Sequence, residues 1–170
     1  MSQLSTLIPK VSRSSNAIPP QPSAIMEFVK NLKARRRQDY RYHLDYRTRC
    51  LTEILRADSV IYAYLIEKRG FHPPTAEMYG VAVDANTEFF SSIAYPAVAE
   101  LGLRVNKLGK SSVTYEVGIF ERGVEEVKAV SQCVHVFVER STGRPSPDGM
   151  SITLRGALEN LVAEKRAVKL

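Results

Sequence analysis

The stretch that most restricts the fold is LGLRVNKLGKSSVTYEVGIF, residues 101–120. Its apolar residues alternate, first Leu101, Leu103 and Val105, then Val113, Tyr115, Val117 and Ile119. The segment between them, Asn106 to Ser111, is polar and carries Gly109. Successive side chains of a strand point to opposite faces, so a period of two on either side of a glycine-bearing turn predicts two antiparallel strands with one buried face. A third run, Val127 to Val138, follows the charged and glycine-containing segment from Arg122 to Glu126, which suits a hairpin loop. The apolar face of such a meander needs a cover, and the segments before it have to supply one.

Leu51 to Arg69 reads as that cover. Leu51, Ile54, Leu55, Val60, Ile61, Tyr64 and Leu65 recur near helical spacing, and Gly70 is a stop signal. Pro73 and Pro74 then enforce a loop. Before this helix, Tyr40 to Arg49 alternates and predicts a first strand. Tyr40, Tyr42, Leu44 and Tyr46 would share one face, with Arg41, His43, Asp45 and Arg47 on the other. Tyr79 to Phe90 reads as a further strand, and Ser151 to Glu164 as a closing amphipathic helix with Ile152, Leu154, Leu158, Leu161 and Val162 on its apolar stripe. Strand, long helix, then four strands without an interposed helix is an α+β pattern: one antiparallel sheet with a helix on one face.

The basic charge is an N-terminal property. Residues 1–49 hold 10 Lys or Arg against 3 Asp or Glu, and the remainder holds 14 against 15. Met1 to Ala24 is rich in Ser and Pro, has no acidic residue and predicts disorder; Ile25 to Arg37 carries a short helical pattern ending in three arginines. Residues 1–38 therefore read as a disordered or partly helical basic arm, and 39–166 as the folded domain. A solvated tail is the plain reading of the arm, with phosphates, an anionic membrane surface or an import receptor as alternatives. Nucleic acid is an unlikely partner for the near-neutral domain. No apolar run approaches the roughly 18 residues of a membrane span. Cys50 and Cys133 lie far apart without metal-ligand company, which reads as reduced thiols, with no disulfide framework and no metal. The expected location is intracellular, the cytoplasm first and the mitochondrion second, the latter for the basic, Ser-rich start.

Several segments together resemble a known family. They are Tyr46-Arg47-Thr48-Arg49, DSVIYAYLIE (58–67), Tyr95-Pro96, the 101–120 stretch, Val134 to Val138, and Thr142-Gly143-Arg144-Pro145. This spelling is similar to hotdog-fold thioesterases of the 4-hydroxybenzoyl-CoA thioesterase type, in a branch common in fungi, over about residues 39–160. The resemblance implies an antiparallel sheet wrapped around a long central helix, a homodimer or homotetramer with sites at the subunit interface, and hydrolysis of an acyl-CoA thioester to free acid and CoA. It implies no cofactor beyond the acyl-CoA substrate. It also implies an Asp in the turn before the central helix as nucleophile or base, and a helix-end amide that polarises the thioester carbonyl.

The chain departs from the family at that turn. Between Arg49 and Asp58 it has CLTEILRA, with no Asp, His or Asn pair. An incomplete gene model, a fold kept for binding alone, and an acid relocated to Glu53 all fit this gap. Glu53 is thus the candidate carboxylate, with a solvated first-turn residue as its plain reading. Ser112 and Thr114 are candidate catalytic hydroxyls. Tyr95 and Ser111 are candidate substrate contacts, and Arg104, Lys107 and Lys110 are candidate cations for the phosphates of CoA. Turn hydroxyls and surface cations more often serve the backbone and the solvent. His135, in an alternating run with Cys133 and Phe137, reads as a packed residue.

Overall fold

The computed structural model describes residues 22–46, 57–69, 71 and 75–162. Of the disorder expected for Met1 to Ala24, residues 1–21 lie outside them, while 22–24 open a helix instead; the end of the first strand, Cys50, Glu53, the start of the long helix and the Pro73-Pro74 loop also lie outside. Three helices and five strands follow in order: α1 (Pro22–Lys33), a 3-10 turn (Arg37–Asp39), β1 (Tyr42–Tyr46), α2 (Ala57–Arg69), β2 (Met78–Phe89), β3 (Ala99–Leu108), β4 (Ser112–Glu121), β5 (Val127–Glu139) and α3 (Ile152–Glu159). The strands form one antiparallel sheet in the order β1-β3-β4-β5-β2.

The alternation of residues 101–120 becomes the inner face of this sheet. Leu101, Leu103, Val105, Val113, Tyr115, Val117 and Ile119 are all buried. They share one cluster with Val60, Ile61, Tyr64 and Leu65 of α2, whose 3–4 spacing turns one stripe of the helix onto the sheet. Full burial of each such side chain stabilises by about 1.5–3 kcal/mol, so this interface holds the domain together. The Phe71 N–H donates to the Leu65 carbonyl at 3.2 Å, tying the chain after α2 back onto the last turns of the helix. Helix α3 starts at an N-cap, Ser151, whose side chain accepts from the Leu154 N–H, and buries Leu154, Ala157 and Leu158 beside α2. Ile152 is 92% exposed, outside the stripe expected for it. After α3 the chain reaches β3: the Val105 N–H donates to the Leu161 carbonyl at 2.8 Å.

The outer face departs from expectation. Tyr40 and Tyr42 do not share a side, because Tyr40 precedes β1 and is free of its pleat. Tyr42 enters the inner core, its ring edge-on to Tyr64 at 5.2 Å between centroids. Tyr40 is buried on the outer face with Leu32, Phe120, Val127 and Val130. Its ring lies over Gly102 and Gly118, which stand opposite each other in β3 and β4. A Cβ on Gly118 would lie 2.3 Å from Tyr40 Cζ, and one on Gly102 would lie 2.7 Å from Cγ. Only glycine leaves room for a flat ring here.

Candidate functional site

The sheet has two ends, and register fixes which residues share each. Tyr46 pairs with Ala99, Ala99 with Glu121, and Phe89 with Ala129, which in turn faces Ile119. This end also holds the turn that carries Tyr95, where the Tyr95-Pro96 peptide is cis, the Ala97 N–H donates to Ala94 at 2.9 Å, and Tyr95 is 76% exposed. Ile93, packed on the core, anchors the turn. Residues 47–56, with Glu53, lie outside the described residues.

Lys107, Lys110, Ser111, Ser112 and Thr114 stand at the other end, around the β3–β4 turn. Lys107 follows a register shift between Val105 and Lys107 and is exposed, as is Lys110. Ser112 opens β4 opposite Val136, and Thr114 faces Lys107 and Val134. Backbone bonds fix the turn: the Gly109 N–H donates to the Ser112 carbonyl, the Phe137 N–H to Ser111, and the Met150 N–H to Lys110. Arg155 adds a bond from Nη1 to the Gly109 carbonyl at 3.1 Å. Two lysines are thus presented on a braced turn, which suits them as point charges toward phosphate. Beside the turn lies a cleft of about 860 Å³, bordered by Glu77, Met78, Glu139, Arg140, Asp148 and Met150. Its volume suits a small ligand. Three carboxylates against one guanidinium make its interior unsuited to phosphate, and Arg140 is already stacked 5.2 Å over Tyr79 with Nε bonded to the Ala76 carbonyl.

One strand of ten residues spans about 30 Å, so within a single chain Tyr95 and the two lysines are far apart. The structure does not bring the candidate residues together in one protomer. Arg104 belongs with neither end. It points to the outer face, where its Nε donates to Asn106 at 2.9 Å and lies 3.9 Å from the Glu116 carboxylate.

At the centre of the outer face stands Glu116, fully buried at 0% exposure. Arg35 Nε donates to its Oε1 at 2.8 Å, while Asn106 Nδ2 and Gln132 Nε2 donate to Oε2 at 2.8 and 3.0 Å. Burial pushes this carboxyl up, but the bond from Asn106 and the charges of Arg35 and Arg104 outweigh it and hold it below its ordinary 4.5. Donors on all sides make Glu116 a held anion, with no lone pair poised toward an inner-face substrate. His135 is buried on the inner face with its ring edge-on to Tyr115, a packing position. Among the described residues no group of His, Cys, Asp and Glu is arranged to hold a metal, and no helix is long and apolar enough to cross a membrane.

A family model described as the thioesterase superfamily matches residues 57–128, from the start of α2 into β5. No curated protein matches the sequence. Among solved structures, the PA5185 protein of Pseudomonas aeruginosa strain PAO1 is 34% identical, with a TM-score of 0.70 over 76% of this chain and 96% of that one. Slr0204 of Synechocystis, a 1,4-dihydroxy-2-naphthoyl-CoA thioesterase, superposes with a TM-score of 0.58 at 10% identity, over 71% and 98% of the two chains. The SAV2348 protein of Staphylococcus aureus, solved in complex with CoA, gives 0.61 at 7% identity, over 71% and 82%. These last two likenesses carry the fold alone. The chain belongs to the thioesterase superfamily and has its hotdog fold, an antiparallel sheet around a central helix.

Proposed function

We propose that this chain acts on acyl-CoA thioesters, hydrolysing them to free acid and CoA from a site shared between two copies of itself. The observation that carries the reading is the bare edge of β2. Residues 81–86 are exposed throughout, including Val81 and Val83 at 38% and 58%. Among the described residues no strand lies on the outer edge of this twelve-residue strand, where the Gly80 carbonyl accepts from the Tyr62 hydroxyl, and an edge without a neighbouring strand is a template for another. A twofold axis near the middle of β2 would join two such edges antiparallel. Val81 and Ser112 both pair with Val136, so the lysine end of one protomer is level with the start of its β2. Antiparallel pairing therefore sets that end beside the partner's Phe89 and Tyr95 end, so each interface combines two half-sites. Lys107 and Lys110 would meet the phosphates of CoA while the thioester lies toward the partner's helix start. The CoA complex of SAV2348 supports a ligand of this type.

Hydrolysis needs a base or nucleophile: water adds to the thioester carbonyl, the C–S bond breaks, and the CoA thiolate takes a proton. Glu53 is the carboxylate that the sequence offers between Arg49 and Asp58, and Ser112 and Thr114 are the hydroxyls on the partner's side. The second reading is an acyl-CoA-binding protein without turnover, favoured by the absence of Asp, His and Asn from residues 50–57. Thiol release from short, long and aromatic acyl-CoAs by the purified dimer separates the two. Turnover that disappears in Glu53→Ala establishes hydrolysis through Glu53. Calorimetric binding without thiol release leaves the binding protein, and neither binding nor release refutes both.

A further inference from the structure

We propose that Arg35, Tyr40 and Glu116 form an acid-releasable latch that straps residues 22–40 onto the outer face of the sheet. The strap crosses the sheet on the side away from α2 and buries Leu32 and Tyr40 there. Five groups surround the Glu116 carboxylate. Asn106, Gln132 and Arg104 belong to the sheet itself; Arg35 and Tyr40, whose hydroxyl donates to Oε1 at 3.3 Å, belong to the strap. The closest guanidinium contact to the carboxylate therefore comes from the strap, and a buried carboxylate deprived of it is left undercompensated.

Protonation undoes this arrangement from within. A neutral carboxyl has to donate its proton, yet Arg35, Asn106 and Gln132 all present N–H groups to it. The charged groups around Glu116 are Arg35 from the strap and Arg104 from β3, with the Asp39 carbonyl behind Arg104. A second anchor lies further along: Glu100 takes Arg37 on one oxygen and stands 3.2 Å from His43 Nδ1 on the other. Because the Glu116 carboxyl is held below its ordinary 4.5, the latch is complete above that value and lost as pH falls through the lower, folded one. The sheet and α2 rest on a separate apolar cluster, so they outlast the strap.

Amide hydrogen exchange on the full chain tests this, with rates corrected for the intrinsic effect of pH. At pH 7, Glu116→Gln is expected to speed exchange across 22–41 at least tenfold and leave β4 and β5 unchanged. Arg35→Met does the same, and its side chain is 27% exposed, so this variant keeps the test decisive where Glu116→Gln fails to fold. In the unaltered chain the strap opens in the carboxylate range, and in Arg35→Met it is open at every pH. Unchanged strap protection in both variants overturns the latch. So does loss of strap and sheet protection together, or release well above the carboxylate range, which would take Glu116 out of the event.

Discussion

Replacing Gly118 by alanine places a methyl carbon 2.3 Å from Cζ and 2.5 Å from the hydroxyl oxygen of Tyr40. Van der Waals contact needs about 3.5 Å, so the ring must lift off the sheet by roughly an ångström or leave. It is 4% exposed, edge-on to Phe120 at 5.6 Å, and its hydroxyl is bound to Glu116. Lifting it counts as overpacking, which costs about 1–3 kcal/mol. Expelling it forfeits about 2–3 kcal/mol of burial and about 1 kcal/mol for the phenol bond. The expected loss is thus about 1–4 kcal/mol, a fall in Tm of roughly 2–16 °C for a chain of this size. Thermal and urea unfolding followed by circular dichroism, at fixed protein concentration, measures it. Gly156→Ala is the control, since its added carbon meets nothing within 4 Å and lies in a helix, where alanine is neutral or stabilising. The decisive step is a double-mutant cycle. In a Tyr40→Ala background the Gly118→Ala change should be nearly free, and an equal loss in both backgrounds would refute the slot as the cause.

Other outcomes follow from the same geometry. If two chains pair through the edge of β2 as proposed, Val83→Lys should shift dimer toward monomer in sedimentation experiments and leave far-ultraviolet dichroism unchanged, because Val83 is 58% exposed in the single chain. Ser151→Ala removes the cap that accepts the Leu154 N–H and should cost about 1 kcal/mol, read as a small fall in Tm with the fold intact. The Tyr42 phenol is pushed up to about 12 by burial and by its bond to Glu67. Its contribution is complete below the ordinary 10 and lost as pH rises through about 12. An alkaline ultraviolet titration should show a late tyrosine step that Tyr42→Phe lacks.

The inner face was legible because β3 and β4 alternate strictly, and burial on that face follows from parity alone. The outer face was not. Glu116 and Arg104 occupy positions that parity assigns to solvent, and the segment that covers them arrives from about 80 residues upstream with a short helical pattern that does not say where it docks. Tyr40 was misplaced for a related reason: its alternation with Tyr42 runs on past the start of β1, where the pleat no longer governs direction. Gly102 and Gly118 read singly as weak strand residues, and only the register that sets them opposite each other turns them into a slot. As for the candidate site, residue type suggested its members, but the sequence does not state which end of a strand meets which. That information lies in the register.

The separation of Tyr95 from Lys107 and Lys110 by the length of a strand has a genetic reading. Under the proposed twofold pairing, damage at one end and damage at the other would be separable lesions, because each composite site would draw one end from each protomer. Two inactive variants, one altered at Tyr95 and one at Lys110, would regain activity when unfolded and refolded together. Each mixed pair would hold one intact site and one doubly damaged site. Variants altered at the same end could never rescue each other.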